Sequence, residues 1–379
     1  MGEKIKLLQS VNSLGVGGNE IFVMNFFRHI DKSRFQVDFV IYDDTRMEFY
    51  DEVTQSGGRA FVCRKRFRNK YLQLLSQMWR VKALLIKEHY DVIHCHSCSF
   101  VGIFRGAIPG FLTKGIKVVT HAHSVGAPKD NVMDRMERKI ARKVMSRITD
   151  MGCACSDTAG SSKYTESFIA SDRYKIINNA IETDRYRYNP VKRREIRKKL
   201  KISDESFVIG NVGRLEHEKN HVFLLEILKK VAEKDSNAVL LLVGDGGLRQ
   251  SLETRVGEKG IREHVIFTGQ CKNAADYYQA MDCFVLPSYY EGLPFVLVEA
   301  QVNGLYCLVS DVVSRMTNAS GTVMYLSLEE GADYWAGNIL SVRGKRIPEN
   351  SIEKVIEQYD IEKAADDMEK LYCDLLTGE

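Results

Sequence analysis

The stretch Phe207-Val208-Ile209-Gly210-Asn211-Val212-Gly213-Arg214-Leu215-Glu216-His217-Glu218-Lys219-Asn220 decides the fold. Its first six residues are rich in β-branched and aromatic side chains and read as a buried strand. The glycine ends the strand, and a short charged loop leads into a segment with helical periodicity. The same pattern recurs downstream at Ala238–Val243, Val265–Thr268, Cys283–Leu286 and Leu308-Val309. Upstream, Met1–Leu8 reads as a first strand, followed by Val37–Ile41, Val92–His94, Lys117–Thr120 and Asp150–Ala154. Helical patterns over 19–30, 71–88 and 132–147 separate several of these runs. Strands alternating with helices build βαβ units, and βαβ units build parallel sheets. The expected fold is α/β, with two doubly wound Rossmann-like domains facing a cleft. The first domain is placed at 1–185 and the second at 186–360, with a last helix in 361–379 packing back on the first.

Composition supports this reading and excludes others. Of 379 residues, 44% are hydrophobic and 27% charged, ordinary values for globular domains with large cores. No apolar run approaches the roughly 18–20 residues that span a bilayer, and the first residues lack a signal-peptide pattern. Nine irregularly spaced cysteines do not form a disulfide framework. A cytoplasmic protein is expected, with peripheral attachment at the inner face of the cell membrane open. The net charge of +4 is unevenly spread: residues 1–189 carry 30 Lys and Arg against 20 Asp and Glu, and residues 190–379 carry 24 against 30. The basic half is suited to an anionic partner.

Four clusters could carry chemistry. Gly15-Val16-Gly17-Gly18-Asn19-Glu20 follows the first strand and precedes a helix, so its backbone N–H groups can face an anion. Its spacing is not that of the three-glycine dinucleotide fingerprint. Arg214 and Lys219 sit at the carboxyl end of a strand, where open α/β sheets bind ligands, and could clamp a diphosphate. Glu291 lies in a Gly/Pro-rich turn, and Glu299 stands eight residues on within an apolar helix. An unpartnered carboxylate is expensive there, so Glu299 should accept hydrogen bonds, and two vicinal hydroxyls would suit it. Thr120-His121-Ala122-His123-Ser124 ends a first-domain strand with two histidines on one face. With His94 and His96 on the neighbouring strand a zinc site is conceivable, but no metal is expected. Cys95-His96-Ser97-Cys98 has redox spacing in the wrong context and reads as small-residue packing.

Taken in order, Gly17-Gly18, Ile177–Ile181, Gly213-Arg214, Lys219, Val243–Gly247, Val265–Gly269 and Glu291…Glu299 resemble the retaining GT-B glycosyltransferases of family 4. The resemblance runs nearly the whole length and is nearest to enzymes of bacterial capsule and exopolysaccharide assembly. It implies a metal-independent, cofactor-free transfer of a sugar from a nucleotide diphosphate donor, commonly a UDP-sugar, to a glycan or lipid-linked acceptor. It implies that Arg214 and Lys219 neutralise the diphosphate, that Glu299 holds the ribose and that Glu291 contacts the sugar. Gly17, Gly18 and Asn19 would meet phosphate, and Gln270 and Cys271 the base. Gly244, Gly292 and Leu293 complete the implied donor set. One histidine at the end of the first-domain strand would contact the donor sugar; strand counting favours His123 over His121. The chain departs from the family in lacking a proline soon after Gly304.

Two basic stretches stand out in the first half. Arg64-Lys65-Arg66-Phe67-Arg68-Asn69-Lys70 follows a strand, and the helix at 132–148 carries Arg138 and Arg142 beside Met136 and Ile140. Both suit an acceptor or an anionic membrane surface, and both could equally be solvated faces. The charged segment Lys192–Lys199 reads as a solvated amphipathic helix opening the second domain. Rival readings are a non-hydrolysing nucleotide-sugar epimerase and a non-catalytic nucleotide-sugar-binding protein. Nucleic acid is not expected, since no helix-turn-helix or aromatic stacking pattern accompanies the basic residues.

Overall fold

Seven strands of the first half and six of the second pair into two separate parallel sheets. The computed structural model describes residues 3–15, 18–123, 132–178, 180–271, 273–291 and 294–378, without the side chains of 132–135. The chain divides into a unit made of Met1–Ala180 with Ile361–Glu379 and a unit of Ile181–Asp360.

The first sheet contains β1 (Ile5–Val11), β2 (Phe35–Ile41), β3 (Ala60–Val62), β4 (Val92–Cys95), β5 (Lys117–Ala122), β6 (Met151–Ala154) and β7 (Tyr174–Ile176). Their spatial order is β3-β2-β1-β4-β5-β6-β7. Leu7 and Leu8 of β1 point to opposite faces and are both fully buried, as covering layers on both sides require. Among the covering helices are α1 (Gly18–His29), α2 (Lys70–Glu88) and α3 (Val132–Ile148). Asn69 starts α2 by accepting the N–H groups of Tyr71 and Leu72, and His89 ends it in the left-handed conformation. The C-terminal helix, Ile361–Thr377, buries Met368, Leu371 and Tyr372 in this unit's core, beside Phe26 and Phe35. Glu369 fastens it by accepting the Asp31 N–H at 2.7 Å.

The second sheet contains β8 (Phe207–Val212), β9 (Ala238–Val243), β10 (Val265–Phe267), β11 (Cys283–Leu286), β12 (Tyr306–Ser310) and β13 (Met324–Leu326). Their order is β10-β9-β8-β11-β12-β13. Its helices include α4 (Pro190–Leu200), α5 (His221–Ala232) and α6 (Phe295–Val302). In both sheets the direction of winding reverses beside the first strand, between β1 and β4 and between β8 and β11. Those reversals open a crevice at the carboxyl ends of the strands.

The charged helix α4 is amphipathic and largely solvated as expected, with one exception in its charged run. Arg197 is 2% exposed; its guanidinium donates to Asp282 at 2.7 Å and to the carbonyl oxygens of Ala280 and Ser203. Arg193, one turn earlier, pairs with the same carboxylate. Two arginines four residues apart therefore pin α4 to the start of β11. After α6, Gly304 turns with a φ of +83°, so a glycine-governed turn leads into β12 in a chain that lacks the family's proline there.

Candidate active site

The reversal between β8 and β11 carries the densest group of expected residues. The loop after β8 bears Lys219 and the loop after β11 bears Glu291, and the two meet with Nζ 2.6 Å from Oε1. Ser288 donates to the same carboxylate oxygen at 2.7 Å. The side chains are only 16% and 10% exposed, so this pair is held far more firmly than a surface salt bridge. Arg214 behaves differently. Its side chain is 79% exposed and approaches only Glu218, at 3.6 Å. Lys219 and Glu291 thus form a fixed pair, while Arg214 keeps its guanidinium available. The Tyr289 N–H donates to the Glu218 carbonyl oxygen at 2.9 Å, and the Tyr289 ring stacks on His217, tying the two loops together.

Glu299 lies on α6 beside this pair in the sequence pattern but has its own surroundings. Tyr278 donates to one carboxylate oxygen at 2.6 Å and Tyr186 to the other at 3.1 Å. The expected buried acceptor is therefore partnered by two phenols, with no cation in ion-pair contact among the described residues. Burial raises the carboxyl above its ordinary range, and the two phenol hydrogen bonds pull it part of the way back. Each carboxylate oxygen keeps a lone pair for a further donor. Neither tyrosine was singled out from the sequence; Tyr186 is 113 positions from Glu299, and nothing local marks it.

Glycines shape the backbone around these side chains. A Cβ on Gly244 would lie 2.0 Å from the Gly213 carbonyl oxygen, and φ at Gly244 is +134°. The ends of β8 and β9 can approach this closely only because Gly244 lacks a side chain. Gly244 also bridges Gly269, whose φ is +72°. Gln270 is exposed and Cys271 half-buried just beyond it. Gly292 and Leu293 lie outside the described residues. His221 at the start of α5 accepts no proton readily: burial takes it down to about 4, and its Nε2 meets the Asn211 side chain at 3.1 Å.

In the first unit Gly18 opens α1 and Asn19 is exposed in its first turn, while Gly17 lies outside the described residues. The histidines at the ends of β4 and β5 come together. His96 Nδ1 is 2.9 Å from His123 Nε2, and His96 Nε2 is 2.7 Å from Gln9 Oε1. His94 Nδ1 meets the Tyr372 hydroxyl of the C-terminal helix at 2.6 Å. His121 is wholly buried, whereas His123 is partly accessible. His94, His96 and His121 could each offer a nitrogen to one ion, since such atoms lie within 4.8 Å of one another. However, both His96 nitrogens and one of His94 are engaged in hydrogen bonds. The rings of His94 and His121 are tilted by only 9°. Burial holds all three well below the ordinary histidine range, so they pack as neutral rings. Cys95 is buried with its thiol raised by burial, and Cys98 is raised to about 12 by the same cause, consistent with packing rather than redox chemistry.

The expected acceptor-side cations have several fates. Arg64 pairs with Asp44 at 2.9 Å. Arg142 donates twice to the Tyr164 carbonyl oxygen, at 3.0 and 2.8 Å, so its guanidinium is tied to the end of the short helix Asp157–Lys163. Arg66 and Arg68 are exposed and line one cavity; Arg138 lines another. Met136 and Ile140 of α3 are 60% and 53% exposed, so the apolar side of its first half is not covered within this unit.

With this geometry in place, the comparisons are informative. Residues 16–185 match the family described as Glycosyltransferase Family 4, and residues 192–318 match Glycosyl transferases group 1. A Bacillus subtilis (strain 168) protein named as the glycosyltransferase EpsF is 30% identical over 88% of this chain and 86% of its own. The chain belongs to the GT-B glycosyltransferases of the family 4 type. An Escherichia coli UDP-Gal:alpha-D-GlcNAc-diphosphoundecaprenol alpha-1,3-galactosyltransferase is 23% identical to this glycosyltransferase over 93% of the chain and 92% of its own. Among solved structures, Anabaena HepE in complex with UDP superposes with a TM-score of 0.78 at 18% identity, covering 98% of this chain and all of that one. WaaG, a glycosyltransferase involved in lipopolysaccharide biosynthesis, gives 0.65 at 16% identity over 98% and 100% of the chains. These likenesses agree on the two Rossmann-like sheets. Among the described residues, no helix is long and apolar enough to cross a membrane.

Proposed function

We propose that this glycosyltransferase moves a sugar from a UDP-sugar to a lipid-linked polysaccharide precursor, with retention of configuration and without a metal. The observation that carries the reading is the Lys219–Glu291 pair at the β8/β11 reversal, with Glu299 held by two phenols in the same unit. Lys219 and the exposed guanidinium of Arg214 supply positive charge where the leaving diphosphate needs it. Preorganised charge of this kind lowers the barrier for departure of an anionic leaving group. Glu299 accepts the ribose hydroxyls through its remaining lone pairs, and Glu291, fixed by Lys219 and Ser288, orients the sugar. Backbone groups near Gly244, Gln270 and Cys271, together with Gly292 and Leu293, would meet the nucleotide. Gly17, Gly18 and Asn19 at the start of α1 would offer N–H groups to phosphate. Of the two strand-end histidines, His123 is the one accessible to a sugar. Neighbours solved with UDP, with UDP and glucose, and with UDP-glucose support the donor class. The diphosphoundecaprenol in the name of the Escherichia coli relative, and relatives such as CapH of Staphylococcus aureus, support an acceptor in polysaccharide assembly.

The test is turnover in EDTA with a panel of UDP-sugars and a polyprenyl-diphosphate-linked sugar as acceptor, followed by NMR of the product. Acceptor-dependent UDP release with the donor's anomeric configuration kept supports the proposal. Sugar isomerisation without acceptor would indicate an epimerase, and loss of turnover in EDTA would remove metal independence.

A further inference from the structure

A strongly basic cavity of the first unit is separate from every residue assigned above to the donor. It measures about 620 Å³ and is lined by Lys65, Arg66, Phe67, Arg68, Lys70 and Arg105, with Gln73, Leu74 and Val101 forming the rest of its wall. None of the five cations has a carboxylate within ion-pair distance among the described residues. Arg105 is the one that matters most, because it is half-buried. Its Nε donates to Gln77 Oε1 at 3.0 Å and its guanidinium lies 4.9 Å from the Tyr42 ring centre, so its direct contacts are neutral, while Asp43 acts on it from beyond ion-pair distance. Burial lowers its pKa, the direction expected of a cation whose charge is incompletely met. A second, adjoining cavity shares Lys65 and Arg105 and contains two carboxylates. Both are otherwise engaged, Asp43 with Thr45 and Asp44 with Arg64.

Gln73 adds an independent sign. It is 6% exposed, and its Oε1 accepts the N–H groups of Arg66 and Phe67 at 2.7 and 3.0 Å. Those bonds fix the basic loop over the cavity. Its Nε2, in contrast, has no hydrogen-bond partner among the described residues. A buried amide donor without an acceptor costs about 1–3 kcal/mol, and Gln73 belongs to the cavity wall, so this unmet donor lies beside the cations. The backbone beneath Arg105 is also specialised. Ile103–Ala107 forms a π-helical turn, a feature often found at binding sites. The turn is pressed onto β4: a Cβ on Gly106 would stand 2.6 Å from Cys95 Sγ, and one on Gly102 2.1 Å from the Ser97 carbonyl oxygen. Close packing through two glycines thus sets where Arg105 stands.

We propose that this Arg105 cavity is an anion subsite that takes the diphosphate group of a lipid-carried acceptor. Five cations and a volume of this size exceed what one phosphate needs, and a diphosphate meets several forks at once. The apolar part of the ligand would lie along α2, where Tyr71, Leu75 and Trp79 are 72%, 44% and 57% exposed at helical spacing. The inference rests on the reading of the chain as a transferase with an anionic acceptor, and it names the place where that acceptor's charge is held.

The experiment uses inorganic pyrophosphate as probe, titrated into the full-length protein already saturated with UDP. Vesicles of phosphatidylcholine alone, with phosphatidylglycerol, or with a polyprenyl diphosphate distinguish the free from the lipid-borne group. Pyrophosphate should bind in the presence of UDP. Arg105→Gln, and separately the exposed pair Arg66→Gln with Arg68→Gln, should each weaken that binding about tenfold or more. Neither should change the thermal shift caused by UDP, and retention should be greatest on polyprenyl diphosphate vesicles. Pyrophosphate binding that UDP abolishes, or that neither variant alters, would overturn the proposal. Equal retention on both kinds of anionic vesicle would reduce the cavity to a general electrostatic face. A protein that binds pyrophosphate as described but never UDP would refute the donor assignment and leave this site standing.

Discussion

Lys219 and Glu291 are 72 positions apart and meet at 2.6 Å in a largely dry setting. Each had a separate expected role in the sequence, but their pairing was not legible, because it depends on β8 and β11 being neighbours. Lys219→Met should leave Glu291 with only Ser288. The expected result is about 3 kcal/mol less stability in chemical unfolding and a fall in turnover of about a hundredfold or more. Unchanged turnover would exclude Lys219 from charge stabilisation. Glu299 supports a prediction in pH. Its carboxyl is raised by burial above its ordinary 4.5 and lowered again by the hydrogen bonds of Tyr278 and Tyr186. Ribose hydroxyls donate best to the ionised form, so UDP affinity should fall as pH drops through this raised value, on an acid limb lying above 4.5. Tyr278→Phe removes a bond that favours the ionised form, so the limb should move to higher pH. Calorimetric titration of UDP across pH 4–8 (about four units) reads both effects; a limb that moves to lower pH would contradict the assignment. The strand-end histidines show the same limit of sequence reading. Two i, i+2 pairs were visible, but only the fold reveals that His121 is enclosed and His123 is the accessible ring.

Elements were the most legible level. Runs read as strands located β1, β2, β4, β5, β6, β8, β9, β10, β11 and β12. The short β3, β7 and β13 escaped: each has three residues, lies at a sheet edge and is at least partly exposed, and Lys175 interrupts β7. Helix α4 was legible as a solvated amphipathic helix, but the burial of Arg197 within its charged run was not, because its anchors include the Ala280 carbonyl oxygen and Asp282, more than eighty positions away in sequence. A similar long-range constraint makes Gly244 a sensitive position. Gly244→Ala would place a Cβ 2.0 Å from the Gly213 carbonyl oxygen on a backbone disfavoured for alanine. We expect about 2–4 kcal/mol of destabilisation of the second unit and loss of UDP binding. Hydrogen exchange would follow this unit by unit; an unaltered UDP affinity would show that the β8–β9 end does not shape the donor site.

For the whole molecule, the return of the last helix to the first unit has a direct consequence. Truncation after Asp360 removes Met368, Leu371 and the fully buried Tyr372, the hydroxyl of which meets His94. Burying each such side chain contributes about 1.5–3 kcal/mol, so the first unit should lose most of its stability. Exchange protection should survive in the second unit, and equal loss in both would contradict the division into two units. The charge asymmetry along the chain also acquires a local meaning, since the first unit's excess of cations includes the Arg105 cavity. The account as a whole depends on the second unit holding a nucleotide diphosphate without a metal. Calorimetric titration of UDP into the full-length protein in EDTA, beside Glu299→Gln, tests this most directly. The account predicts binding in EDTA that Glu299→Gln weakens about tenfold or more; no heat with UDP, or binding that requires a divalent cation, would contradict it.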